Sequence, residues 1–346
     1  MISYFVLYFF VLFLAFFLKK ATGRNCVFIL FIILLVFYSI RNSTVGTDTL
    51  NYVSHYLYNY NPYQYGFNED VEIGYQYLDY LVIKFTNDYF WLFIVCGFIT
   101  IYSYLYVINR YSNNFIFSLF IYLLFGFYTF AFNGLRQGLA IAICFFALPY
   151  LLSKNKLKYF SLIILASLFH ISSLIMLFIY FLIYLKFKLE YKVLLTFILS
   201  LLGSNYLINY LAEENSRYEG YTQSSEVAGG YIVFLFYFIL GIFVYFFGSK
   251  ERHQSNNYQK IEQIYLCGIF LVLPIVLLGT NPSGPQRILN YFTPMLIFLI
   301  PYLLDKIKSN FIIYIFILLS IIYCYLNTSR FGNLVPYILN PAFEVF

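Results

Sequence analysis

Charge is scarce in this sequence. Only 10% of its 346 residues are Asp, Glu, Lys or Arg, whereas a soluble domain carries about a quarter. A water-facing globular surface is excluded, and no nucleic-acid partner is expected. The three histidines, His55, His170 and His253, stand far apart with no HExxH-like spacing, so no histidine-based metal site and no cofactor is expected. The five cysteines, Cys26, Cys96, Cys144, Cys267 and Cys324, lie in or at the ends of apolar stretches without a CxxC pair. That supports neither a disulfide framework nor a thiolate metal centre. Residues 1–18 lack a basic n-region and a small-residue cleavage site, and read as a retained first helix.

What is present is apolar: 62% of the chain is hydrophobic, in recurrent runs separated by short polar segments, as in bundled membrane helices. The 43 Phe and 39 Tyr accompany many Ile, Asn and Lys, and fit a biased coding composition better than an aromatic binding surface. The single Trp91 suits a membrane interface. The expected fold is all-α, a polytopic integral membrane bundle of about 12 helices forming one domain over 1–346. The expected spans are 2–18, 26–40, 89–108, 115–132, 135–152, 159–170, 172–185, 191–211, 231–248, 262–279, 290–304 and 310–326.

The basic residues sort these spans. Lys19, Lys20, Arg24, Arg110, Lys154, Lys156, Lys158, Lys186, Lys188, Lys192, Lys250, Arg252, Lys260, Lys306 and Lys308 fall in alternate connections, which are therefore expected to be cytoplasmic. The other connections receive Arg41, Lys84, Arg136, Arg217, Arg287 and Arg330 with 11 of the 15 acids. These predict an outer loop over 41–88, a second over 212–230, a turn at 280–289 and an outer tail over 327–346. Both termini are then extracytoplasmic.

Segments 159–170 and 172–185 are short for spans, reaching about 18 and 21 Å as helix against a hydrocarbon core of about 30 Å. They predict a hairpin near 159–185 that starts and ends in the cytoplasm and turns at His170. One tilted helix over 157–185 is the alternative, and it would invert every later loop. Undersized or interrupted membrane helices point to a binding site, because irregular backbone survives in lipid only beside protein or a wet cavity.

Four polar stretches stand out. In the first, Arg41 precedes Gly46, Asp48 and Tyr52; Gly46 permits a turn that brings Asp48 back to Arg41, although an arginine at a helix mouth can also simply snorkel. In the second, Asn133, Arg136, Gln137 and Ala140 share one face of a helix, with Gly134, Gly138 and Ala142 roughly opposite as a stripe for close packing. His170, followed by Ser172, occupies the hairpin turn, either as a packing residue or as a functional one. Arg287 and Tyr291 follow two prolines at an outer mouth. Arginines gathered near one histidine suit an anionic, lipid-borne ligand, since guanidinium forks match phosphate oxygens.

At these residues the chain resembles the Wzy/EpsG family of polysaccharide polymerases. The matching elements are Arg41 with Gly46, Asp48 and Tyr52; Asn133 with Arg136, Gln137 and Ala140; Phe169 and His170 with Ser172; and Arg287 with Tyr291, in family order and with the long outer loop in place. The resemblance implies an enzyme of the bacterial cytoplasmic (inner) membrane, with its site on the extracytoplasmic face. A glycan on polyprenyl diphosphate would be passed to a hydroxyl of the next lipid-linked repeat unit, building exopolysaccharide, capsule or O-antigen. Its partners would be the lipid-linked oligosaccharide, membrane lipid, a flippase and a chain-length regulator. The expected catalytic residues are His170, Arg136 and Asp48. Arg41, Arg287, Asn133, Gln137, Tyr52, Glu72 and Tyr291 are expected to bind substrate, with Arg136 and Arg287 at the diphosphate, His170 as base or positioning group, and Glu72 or Asp48 as reserve base.

Two other classes fit parts of the pattern. A metal-dependent glycosyltransferase using polyprenyl-phosphate sugars would employ Glu69, Asp70 and Glu72 of the outer loop. A flippase or exporter of the lipid-linked repeat also needs a basic cavity, although the 41–88 loop is large for a transporter.

Overall fold

The computed structural model describes residues 1–58, 61–214, 229–307 and 309–343. Residues 215–228 of the expected second outer loop, including Arg217, lie outside the described residues, as do Lys308 and the last three residues of the tail. The described regular structure is helical apart from an isolated antiparallel bridge between Arg41 and Leu339. In chain order the helices are α1 (Ile2–Thr22), α2 (Val27–Ser39), α3 (Thr49–Leu57), α4 (Ile73–Phe85), α5 (Tyr89–Tyr111), α6 (Phe115–Leu124), α7 (Phe130–Asn133) and α8 (Leu135–Leu152). They continue with α9 (Lys156–Ser167), α10 (Ile175–Tyr184), α11 (Leu189–Glu214), α12 (Gly229–Phe247), α13 (Glu251–Gln254), α14 (Asn256–Leu277), α15 (Leu296–Ile307) and α16 (Asn310–Leu326).

The chain is a multi-pass membrane protein. Among the described residues, seven helical segments are long and apolar enough to cross a bilayer: 2–22, 89–111, 135–152, 230–247, 256–277, 285–307 and 310–331. Val27–Ser39, Phe115–Leu124 and Ile171–Tyr184 are apolar but shorter. Local chemistry sets several helix starts: side chains of Asp88, Asn114, Asn155 and Ser255 accept backbone N–H groups at the first turns of α5, α6, α9 and α14. α1 ends at Gly23 in the left-handed region with Lys19 and Lys20 in its last turn, as the helix dipole favours. Helices α8 and α14 run through the centre, whereas α1, α12 and α16 keep most of their surface outward.

Two expected spans are reshaped. Segment 115–132 does not form one helix: α6 stops at Leu124, Gly126 has φ +78°, and the chain resumes as α7. Segment 290–304 begins as a 3-10 run over Pro285–Tyr291 before α15. The hairpin at 159–185 forms. Tyr159 reaches the carbonyl of Met176 (2.9 Å) and packs on Tyr180, so α9 and α10 run back to back. The 41–88 segment is itself folded into α3 and α4. Buried Asp79 ties it together by accepting from Tyr56 (2.8 Å) and Tyr65 (3.0 Å) and meeting His55 (3.1 Å).

The connections collect at two ends. At one, Asn25 meets Asn109, Asn114 meets Asp305, and Lys260 reaches the Leu152 carbonyl. At the other, the Gly74 N–H donates to Leu168 O at the hairpin turn, and Asn42 pairs with the chain at Ile338.

Candidate active site

The second end gathers most of the polar residues singled out above. The loop after α2 turns at Gly46, φ +104°, where a side chain would collide with those of Asn133 and Thr49. The Thr47 N–H donates to Asn133 Oδ1 (2.9 Å), and Asn133 also donates to Gly332 O. This staple delivers Asp48 to Arg287, with Nη2 and Oδ2 3.3 Å apart. The expected pairing of Asp48 with Arg41 does not occur. Arg41 is wholly buried, its guanidinium 3.6 Å from the Phe93 ring centre and flanked by Phe132 and Tyr38, and it donates to the Tyr38 carbonyl. Cation–π attraction is strongest in such desolvated surroundings, so these rings hold the Arg41 guanidinium in place.

Arg136, in the first turn of α8, forms an ion pair with Glu72, the residue before α4. Glu72 faces the hairpin turn as well, its other oxygen 3.4 Å from the Ile171 N–H. Tyr52 on α3 lies within the fields of Arg136, Asp48 and Arg287; burial raises its pKa against the pull of the Arg136 charge, which keeps the hydroxyl protonated. Beside Arg136, Gln137 donates to the Arg287 carbonyl (3.3 Å). The two ion pairs thus share Tyr52 and one turn of α8. Asn133 does not share a helical face with Arg136, because the helix breaks at Gly134, and its side chain fixes loops instead. Gly138 of the expected small-residue stripe packs on Ala131 of α7, just before the break.

His170 sits at the hairpin turn, as expected. Its Nδ1 faces the Ser172 N–H (3.4 Å) and the Ser172 hydroxyl (2.7 Å), and that hydroxyl lies 3.0 Å from the buried Tyr291 hydroxyl. A ring nitrogen that faces a backbone N–H is the unprotonated one, so the proton of the neutral ring is on Nε2. In that tautomer Nε2 is the ring's donor. Ser172 is the link between His170 and Tyr291, a role visible only in three dimensions.

A cavity of about 490 Å³ adjoins this cluster. Asn133, Arg287, Asn290 and Arg330 contribute polar wall, and Phe130, Phe234, Tyr237 and Tyr323 contribute apolar wall. Arg330 had only its place among the few basic residues of that face to signal it. Among the described residues, no group of three His, Cys, Asp or Glu side chains is placed to hold a metal ion.

Comparison with known families gives a match over residues 24–339 to the model described as the EpsG family. No curated protein and no solved structure matches the chain.

Proposed function

The chain belongs to the EpsG family, and from that premise we propose that it polymerises polyprenyl-diphosphate-linked repeat units into a surface polysaccharide on the extracytoplasmic face. The family and the membrane bundle support a general role as a polysaccharide polymerase of the Wzy kind. The observation that carries the finer reading is that Gln137, next to Arg136, bonds the Arg287 backbone 150 residues away, at the same end as the His170–Ser172–Tyr291 chain of hydrogen bonds. The sparse basic residues at this end support an outer location, with about twelve membrane passages if the shorter helices also span.

The proposed reaction needs little acid catalysis, because a diphosphate already leaves well. Arg136 and Arg287 bind the donor diphosphate in place of the carboxylates they now hold, and His170 donates from Nε2 to a phosphate oxygen. The bond between sugar C1 and the phosphate oxygen breaks, with its electron pair leaving on the lipid diphosphate. An acceptor hydroxyl forms the new bond to C1 and gives its proton to Glu72, which the diphosphate has released from Arg136; Asp48 is the equivalent group at Arg287. Tyr52, Gln137 and Tyr291 hold these side chains in register.

The test is the purified chain in lipid with lipid-linked repeat units as sole substrate. A ladder of products differing by whole repeats is expected, unchanged by EDTA. Loss of the ladder in EDTA would move the reading to a metal-dependent transferase, and unit translocation without bond formation would move it to a flippase.

A further inference from the structure

A block transfer brings together two lipid diphosphates, one on each substrate, and the cluster around Arg136 accounts for one. We propose that the cavity beside it is the seat of the second, with Arg330 as its phosphate-binding residue. This rests on the polymerase reading and adds a site to it.

The cavity is bounded by three interruptions of membrane helices. The break between α6 and α7 supplies Phe125, Gly126 and Thr129; the 3-10 run after α14 supplies Gln286, Arg287 and Asn290; and a π-helical turn over Asn327–Phe331, closing α16, supplies Asn327 and Arg330. Backbone freed from α-helical bonding within a membrane survives only beside protein or a wet cavity, and π-turns and broken helices collect at ligand sites. Gly126 fits this arrangement, since a side chain there would strike Asn327.

The walls divide by chemistry. Arginines 287 and 330 lie with four asparagines, while α12 and α16 present Val233, Phe234, Tyr237 and Tyr323. A cationic, amide-rich wall with a continuous aromatic one fits an anionic head joined to an unsaturated hydrocarbon, as in a prenyl diphosphate. Arg136, Glu72 and His170 are not in these walls. Arg287 belongs to both places: it pairs with Asp48 in the cluster and lines the cavity. The two diphosphates would therefore lie on either side of one arginine, which sets a donor C1 near an acceptor unit.

The probe is undecaprenyl diphosphate added to the purified full chain in phosphatidylcholine nanodiscs, with bound lipid counted per protein. The wild type is expected to bind two. Arg330→Glu, on an exposed turn, should weaken one of them by at least about tenfold and leave the other. Arg136→Ala should weaken the other and spare the Arg330-dependent one. Val233→Trp, which fills the cavity from α12, should act like Arg330→Glu. Two sites indifferent to both Arg330→Glu and Val233→Trp, or a single site lost only with Arg136, would overturn the second seat and leave the polymerase reading standing. An Arg330-dependent site emptied equally by phosphatidylglycerol would show a bulk-lipid site, also overturning it. No binding in the wild type would sink the polymerase reading itself.

Discussion

At the end of the bundle that carries most of the lysines, the few buried charges are locally satisfied. Arg252 grips Glu262 with two hydrogen bonds, 2.7 and 2.9 Å, and gives a third to the Tyr245 carbonyl, while Glu262 is fully buried. Buried Lys192 donates to the Ile183 carbonyl (2.7 Å) and to Gln263 (3.0 Å). At the opposite end both carboxylates keep some exposure, 12% for Glu72 beside 13% for Arg136 and 32% for Asp48 beside 23% for Arg287, against 0% for Glu262 beside 10% for Arg252. A bidentate pair whose carboxylate is fully desolvated cannot exchange partners without leaving a bare charge in a low dielectric. A partly wet pair can, because water covers whichever group is released. One end is built to hold helices together; the other holds cations beside carboxylates that keep some contact with solvent, where the proposed phosphate would replace them.

The sharpest way to break this comparison is to ask whether the ends face opposite compartments. A single cysteine at exposed Asn61 should react with an impermeant thiol reagent in intact cells, and one at exposed Asn257 should stay unlabelled until the membrane is opened. Labelling of Asn257→Cys from outside would place the proposed site in the cytoplasm.

The next effect is on stability. Arg252→Ala leaves the Glu262 carboxylate buried without its partner, a loss of about 3–5 kcal/mol, read as a lower unfolding temperature and less folded protein. Arg252→Met with Glu262→Leu should regain most of it, since apolar groups then replace both charges. A single variant as stable as wild type would mean that this pair does not differ from the ones at the other end.

His170→Ala removes one hydrogen-bond donor from the proposed site and no buried charge. Folding and insertion should be unaffected, while the rate of chain growth falls by about a hundred- to a thousand-fold, as for loss of one donor to a developing anion. Cells should then display single repeat units without long polymer when surface glycan is sized by gel. Full-length polymer would remove His170 from the reaction.

How much of this was legible beforehand follows from the range of each interaction. Helix positions, and the hairpin at 159–185, are local: apolar run length and the lysines around it determine them. The gathering of Arg136, His170 and Arg287 was legible because polar residues in apolar surroundings must converge on a cavity or on one another. Their pairing was not. Asp48 lies 7 residues from Arg41 but pairs with Arg287, 239 residues away, because the Gly46 turn is pinned by Asn133 on another helix. Arg41 resembles a mouth arginine until Phe93 and Phe132 close around it. The break after Leu124 lies in a run whose apolar character gives little warning, and with it the cavity stayed hidden.

The smallest expected effect is also the most direct probe of carboxylates as stand-ins for phosphate. If Glu72 occupies the place that the donor diphosphate takes at Arg136, its charge competes with the ligand, and Glu72→Gln should strengthen binding of undecaprenyl diphosphate. The gain should be about two- to fivefold, equivalent to about 0.5–1 kcal/mol. Chain growth should fall in the same variant, because the amide cannot take the acceptor's proton. Tighter binding with slower turnover separates this from a structural role, in which loss of the carboxylate would let the guanidinium wander and weaken binding. The buried carboxylate of the opposite end offers no such gain: Arg252 is held there by three hydrogen bonds away from the proposed site, and Glu262→Gln should leave diphosphate binding as it was. Weaker binding by Glu72→Gln would show that Glu72 orients Arg136 and does not compete for it.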